Sequence, residues 1–290
     1  MKPVILSDKD KLKRIYKKFA VPSAVFALAL CAVYFFAVKY GYDSRIGHFD
    51  GTVLFYLLVG LTAAAVLCGA VLSILGRGYT VLPGKTKSPL ALIGRLISAL
   101  SALALFVRFL TELFSRVRQF TLFEKIGGFM MIFVMAAMLL SIFDGAFGKN
   151  ITAVTFVLAA LALNFTIFSH YFDFSVPINS PQRNLSTVMY CAALLLMISE
   201  ARFCLPEKSE RSSASFMIFV NFVTVAVCAG FPVGIIAYRL ISGAQPDGTP
   251  DILWLVLFIG VALVALSRLM QSDMIYTEKT KKESKGNENG

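Results

Sequence analysis

Long apolar runs separated by short polar connections dominate the chain. Runs of about 20 mostly apolar residues, the length that crosses the hydrocarbon core as a helix, fall near 19–40, 52–75, 90–111, 127–145, 151–171, 184–203, 214–238 and 251–270. They are continuous and lack the period-two alternation of a membrane β-barrel, which excludes that class. A helix satisfies its own backbone donors and acceptors, as lipid demands. The pattern predicts an all-α polytopic transmembrane helical bundle of about eight helices over residues 19–270.

The flanks read differently. Ser7 and Asp10 fit an S-x-x-D capping pattern that starts a helix, and Leu12, Ile15, Tyr16 and Phe19 then recur at i, i+3, i+4 and i+7 among Lys and Arg. Residues 1–18 are thus expected to be a basic amphipathic arm on the inner leaflet or a charged orientation signal. The first apolar run is longer than a signal-peptide core and is followed by no A-x-A site, so it is expected to stay as an anchor. Residues 271–290 are polar, especially from Thr277 onward, and are expected to be a disordered tail.

Composition agrees with the pattern. The chain has 290 residues, 57% of them hydrophobic, and its mean hydropathy is +0.74. Only 16% are charged, against about 25% in ordinary soluble domains. The net charge of +11 does not point to nucleic acid, because the densest basic stretches, Lys9–Lys18 and Lys279–Lys285, flank the first and last spans. With the N-terminus inside, 20 of the 28 Lys and Arg lie on the inner side, seven lie outside and Arg108 is within a span. That excess predicts an N-in/C-in orientation. The third connection strains the count, since Arg116, Arg118 and Lys125 fall outside; a re-entrant third segment would invert the spans after it. Cys31, Cys68, Cys191, Cys204 and Cys228 form no C-x-x-C and read as small apolar residues.

Candidate chemistry is sparse. Arg108, Glu112 and Arg116 at i, i+4 and i+8 share a helix face, which reads either as a polar membrane path or as a salt-bridged helix end. Gly230 and Gly234 form a G-x-x-x-G that permits close helix approach, and Pro232 between them predicts a kink or break. Asn164 and Asn221 are the deepest amides and are expected to bond between helices. Small-residue faces, Gly60–Ala64–Cys68 and Ala65–Gly69, suit helix packing. The pairs His48/Asp50 and His170/Asp173 have ligand chemistry but not the H-E-x-x-H spacing, so no metal site is assigned. Asp173–Pro181, with two prolines, predicts a rigid extended outer loop. Glu200 and Arg202, two residues apart, do not face each other and must reach a neighbouring helix or headgroups.

The stretch D-F-S-V-P-I-N-S-P (173–181) to S-E-A-R (199–202) resembles a pattern in uncharacterised bacterial multi-pass integral membrane proteins. The resemblance covers about 30 residues and implies a bacterial plasma-membrane protein, without an activity to transfer. No nucleophile, base and oxyanion donor can be placed together, so an enzyme is not expected, nor is a cofactor. The expected role is a non-enzymatic membrane module: a sensor, assembly or accessory subunit. Its partners would be the lipid bilayer and a membrane protein or second copy, not nucleic acid. The alternative is a small-solute transporter or channel using the third and seventh helices.

Overall fold

The computed structural model describes residues 4–43, 48–49, 53–76, 79–83, 88–115, 119–143, 149–172, 180–205, 214–243, 248–270 and 274–278. Its helices are α1 (Val4–Gly41), α2 (Val53–Leu75), α3 (Pro89–Ser115), α4 (Leu122–Ile142), α5 (Lys149–Tyr171), α6 (Pro181–Phe203), α7 (Ser215–Ser242) and α8 (Ile252–Leu269). Two short antiparallel pairs join them: β1 (Tyr42–Asp43) with β2 (His48–Phe49), and β3 (Tyr79–Pro83) with β4 (Met274–Glu278). All eight helices include stretches long and apolar enough to cross a membrane. The protein is an all-α polytopic bundle.

Local chemistry fixes several helix ends. Thr121 and Glu124 form a capping box that starts α4 before the apolar run itself begins. Pro181 opens α6 from its first turn, where the missing N–H is harmless. Gly243, at φ +68°, ends α7 by bonding its N–H to the Arg239 carbonyl. The expected start at Ser7 is corrected: α1 begins at Val4 and runs through Pro22 into the first span as one helix. The side chains of the basic arm lie outside the described residues. The expected tail is also corrected in part, since Met274–Glu278 is the strand β4; residues 279–290 lie outside the described residues.

Contacts arrange α3 to α8 as a closed ring, each packed on the next and α8 on α3. A hairpin of α1 and α2 leans against α7 from outside the ring. Hence α7 touches four helices and is the most buried, whereas α2 shows most of its surface to the surroundings. Backbones approach closely at two seams. A Cβ on Gly94 would meet the Gly260 carbonyl oxygen at 2.7 Å, so α3 and α8 cross with their backbones touching. On α7, Gly230 and Gly234 seat the α1 backbone at Ala27 and Cys31. The G-x-x-x-G is therefore a packing surface. The predicted break is not observed: α7 continues through Pro232, in a helix braced by four neighbours, as membrane helices tolerate.

Pairing of β3 with β4 resolves the doubt over the third segment. The strands leave α2 and α8, so those two exits share one end of the bundle. That requires an even number of crossings between them, and a re-entrant α3 would make it odd. The 27-residue α3 is a full span, and the start of α1 belongs to the β3–β4 end.

Candidate functional site

Polar side chains gather at the two ends of the ring. At the end that carries β3 and β4, Glu200 in the last turn of α6 meets Arg268 in the last turn of α8. Arg268 donates from Nε to Glu200 Oε1 at 3.0 Å and from Nη2 to Oε2 at 2.7 Å, a bidentate pair. The two side chains are only 5% and 2% exposed. Arg268 also lies 5.1 Å from the Phe203 ring centroid. From α3, Arg95 donates Nη1 to the Ser141 carbonyl on α4 at 3.2 Å, and its charge acts on Glu200. Thus an ion pair ties α6 to α8 where they otherwise touch little, and a hydrogen bond ties α3 to α4 at the same end.

At the opposite end Arg108 divides its donors between two helices. Its Nε reaches Glu112 Oε1 at 2.7 Å, one turn on along α3. Its Nη1 reaches Asp251 Oδ2 at 2.5 Å, the residue that starts α8. The other Asp251 oxygen caps α8 by accepting from the Leu253 and Trp254 amides. Arg108 and its partners border a cleft of ≈ 190 Å³ between α3, α4, α5 and α8. Glu124, Thr166 and Ser169 add polar groups, while Phe109, Phe120, Met131 and Trp254 supply apolar wall. Gly128 makes room for the Phe109 ring, since a Cβ there would come within 2.5 Å of it. One to two turns deeper, Ala102, Val134, Met138 and Leu163 are buried, so packed apolar side chains floor the cleft.

Nearby, Arg183 donates Nη2 to the His170 and Tyr171 carbonyls, which serves the unpaired end of α5. Tyr34 on α1 donates to Gln182 Oε1 on α6 at 2.9 Å.

The structure brings Arg108 and Glu112 together as their spacing implied; Arg116 lies outside the described residues. Asn221 is corrected: its Nδ2 donates to Met217 O in its own helix at 2.7 Å, and its buried Oδ1 has no partner among the described residues. Asn164 is half-buried and makes no bond to another helix among the described residues. Interhelical bonds come instead from hydroxyls: Thr224 to Ala192 O at 3.2 Å and Ser215 to Ser73 O at 2.7 Å. Of the small-residue faces, Ala65 and Gly69 are buried, with Gly69 against Phe222 and Val223 on α7, whereas Gly60 faces open space. Asp50, Asp173 and the loop 173–179 lie outside the described residues, among which no group of three His, Cys, Asp or Glu is placed to hold a metal. Arg202 lies over Phe216 on α7, at 5.9 Å, rather than on Glu200.

Sequence reasoning missed Asp251 as the second partner of Arg108, although a Pro-Asp before an apolar run is a readable helix start. It also missed the Glu200–Arg268 pair. The only signal for that was a carboxylate and a guanidinium near same-side ends of two predicted spans.

Eight apolar helices with charged groups sorted to two ends define an integral membrane protein. Compared with known proteins, the chain matches no family model, no curated protein and no solved structure.

Proposed function

We propose that the protein is a non-enzymatic module of a bacterial plasma membrane, oriented N-in/C-in, that recognises a small ligand at its outer face and works with a membrane partner. The Lys and Arg distribution supports the orientation; it puts β3–β4 and the Glu200–Arg268 pair on the cytoplasmic side and the Arg108 cleft outside. One observation carries the reading: the cleft is polar at its mouth and floored by buried apolar side chains. A blind cleft binds without conducting. Short connections and a lipid-facing α2 suit a protein whose working surfaces lie in and at the membrane.

Pull-down from native membranes and flux in reconstituted vesicles test this together. A co-purifying membrane protein and no flux above protein-free vesicles are expected. Recovery of the chain alone would overturn the partner claim.

Transport is the second reading, favoured by an outer cleft opposite a charge-sealed inner end, the arrangement of an alternating-access carrier. Solute flux lost in Glu112→Ala would establish it in place of the module. The cleft borders the third helix but not the seventh, its other walls being α4, α5 and α8.

A further inference from the structure

The outer cleft has a distinctive wall. Three carboxylates line it, Glu112, Glu124 and Asp251, against one guanidinium, that of Arg108. Arg108 is 51% exposed, so water weakens its two ion pairs, and its single positive charge offsets only one of the three carboxylates. Glu112 engages it through Oε1 alone, which leaves Oε2 without a partner among the described residues. Among the described residues the charge lining the cleft is net negative, and low-dielectric walls behind it focus the field on the space between.

The rest of the wall is aromatic: Phe109, Phe120 and Trp254. Aromatic faces attract cations through their quadrupole, and indole does so best. Carboxylates with aromatic rings select an organic cation over an anion, which both would repel. A divalent metal ion fits less well, since the described residues hold no three-donor group and hard cations need a larger oxygen shell. The volume of ≈ 190 Å³ is about six waters' worth at ~30 Å³ each and falls below the ~300 Å³ where drug-sized pockets begin. It suits an ammonium group on a short stem.

We propose that the cleft bordered by Arg108, Glu112, Asp251 and Trp254 binds a small organic cation, a primary or quaternary ammonium group. The ammonium comes from a free solute or from a lipid headgroup. This inference rests on the reading of the cleft as an outward ligand site.

Trp254 is the only tryptophan in the chain, so intrinsic fluorescence reports on this cleft directly. The full chain is placed in nanodiscs of phosphatidylglycerol and titrated with tetramethylammonium, choline and ethanolamine chlorides. Sodium chloride and sodium acetate at matched ionic strength are the controls. The ammonium ions should give a saturable change with half-saturation on the order of millimolar, and sodium none. Glu112→Gln keeps the shape and the bond from Arg108; it should weaken binding about two- to fivefold with an unchanged melting profile. Gly128→Ala, whose Cβ displaces the Phe109 ring from its place in the wall, should weaken binding without altering charge. Adding phosphatidylethanolamine to the discs separates the sources: a competitive loss of apparent affinity identifies the headgroup, and no loss identifies the free solute.

Equal affinity in wild type and Glu112→Gln would overturn the charge argument. A response to acetate and not to the ammonium ions would overturn the ligand class while leaving an outward ligand site in place. No saturable response to any probe, with Trp254 shielded from aqueous iodide, would overturn the site itself.

Discussion

Glu200→Ala should be the most damaging single substitution in the bundle. The carboxylate accepts both of its bonds from Arg268 at 2.7 and 3.0 Å, and the two side chains are almost wholly buried. Truncation takes the carboxylate from a buried guanidinium and leaves a void in its place. Removing one partner of such a pair costs about 3–5 kcal/mol. At ~2–4 °C per kcal/mol for a chain of this size, the melting temperature should fall by on the order of 10 °C. The drop is measurable in detergent as the loss of helical circular dichroism on heating. Replacing both partners, Glu200→Leu with Arg268→Met, removes the stranded charge along with the bond. It should recover most of the loss, because apolar isosteres often replace buried pairs at little cost. Two results would refute the reasoning: a single variant melting within about 1 kcal/mol of wild type, or a double variant losing the sum of the two singles.

Glycine substitutions should divide by seam. Gly260→Ala places a Cβ 2.5 Å from Ser98 Oγ and 2.8 Å from the Gly94 carbonyl, so it should cost about 1–3 kcal/mol in the same melt. Gly60→Ala meets nothing within 4 Å and should be neutral or stabilising by about 0.5–1 kcal/mol; a loss there would show that the Gly60 face is covered. Asn221→Leu removes a buried acceptor that has no partner among the described residues and should leave the melting temperature unchanged or raised, whereas a clear drop would reveal a bond to Oδ1. Cysteine at Ser242, exposed at the end of α7, should react with an impermeant maleimide in intact cells, while cysteine at Met270 should react only after permeabilisation; the reverse pattern would invert the orientation.

The eight spans were legible because hydrocarbon thickness imposes one length on every crossing, and apolar runs of that length stand out. Helix starts were less so. α4 begins at Leu122 rather than near 127 because Thr121 and Glu124 cap it with polar chemistry that an apolar window excludes. Neighbour relations were the least legible. Within lipid all faces of a span are apolar, so periodicity does not tell which side meets another helix. The G-x-x-x-G of α7 announced a contact but not that α1 fills it. Arg108 and Glu112 were readable from i, i+4 spacing, since the helix itself brings them together. Asp251 and the Glu200–Arg268 pair depend on which helices the ring makes adjacent, and no local spacing encodes that.

The seam between α3 and α8 joins the first and last members of the ring. During synthesis α3 enters the bilayer with the Gly94 face, Arg95 and Arg108 in place, while the helix that receives Gly94 and the aspartate that pairs with Arg108 are still unmade. α1 likewise waits for the groove on α7. Ring closure therefore waits until α8 has been made and β4 can join β3. A chain stopped short of α8 presents an unsealed glycine face and a Glu200 carboxylate without Arg268 to lipid, the kind of exposed surface by which incomplete membrane proteins misassemble. Closure of the ring thus depends on the member that is made last, although α4, α5 and α6 can pack on one another before it.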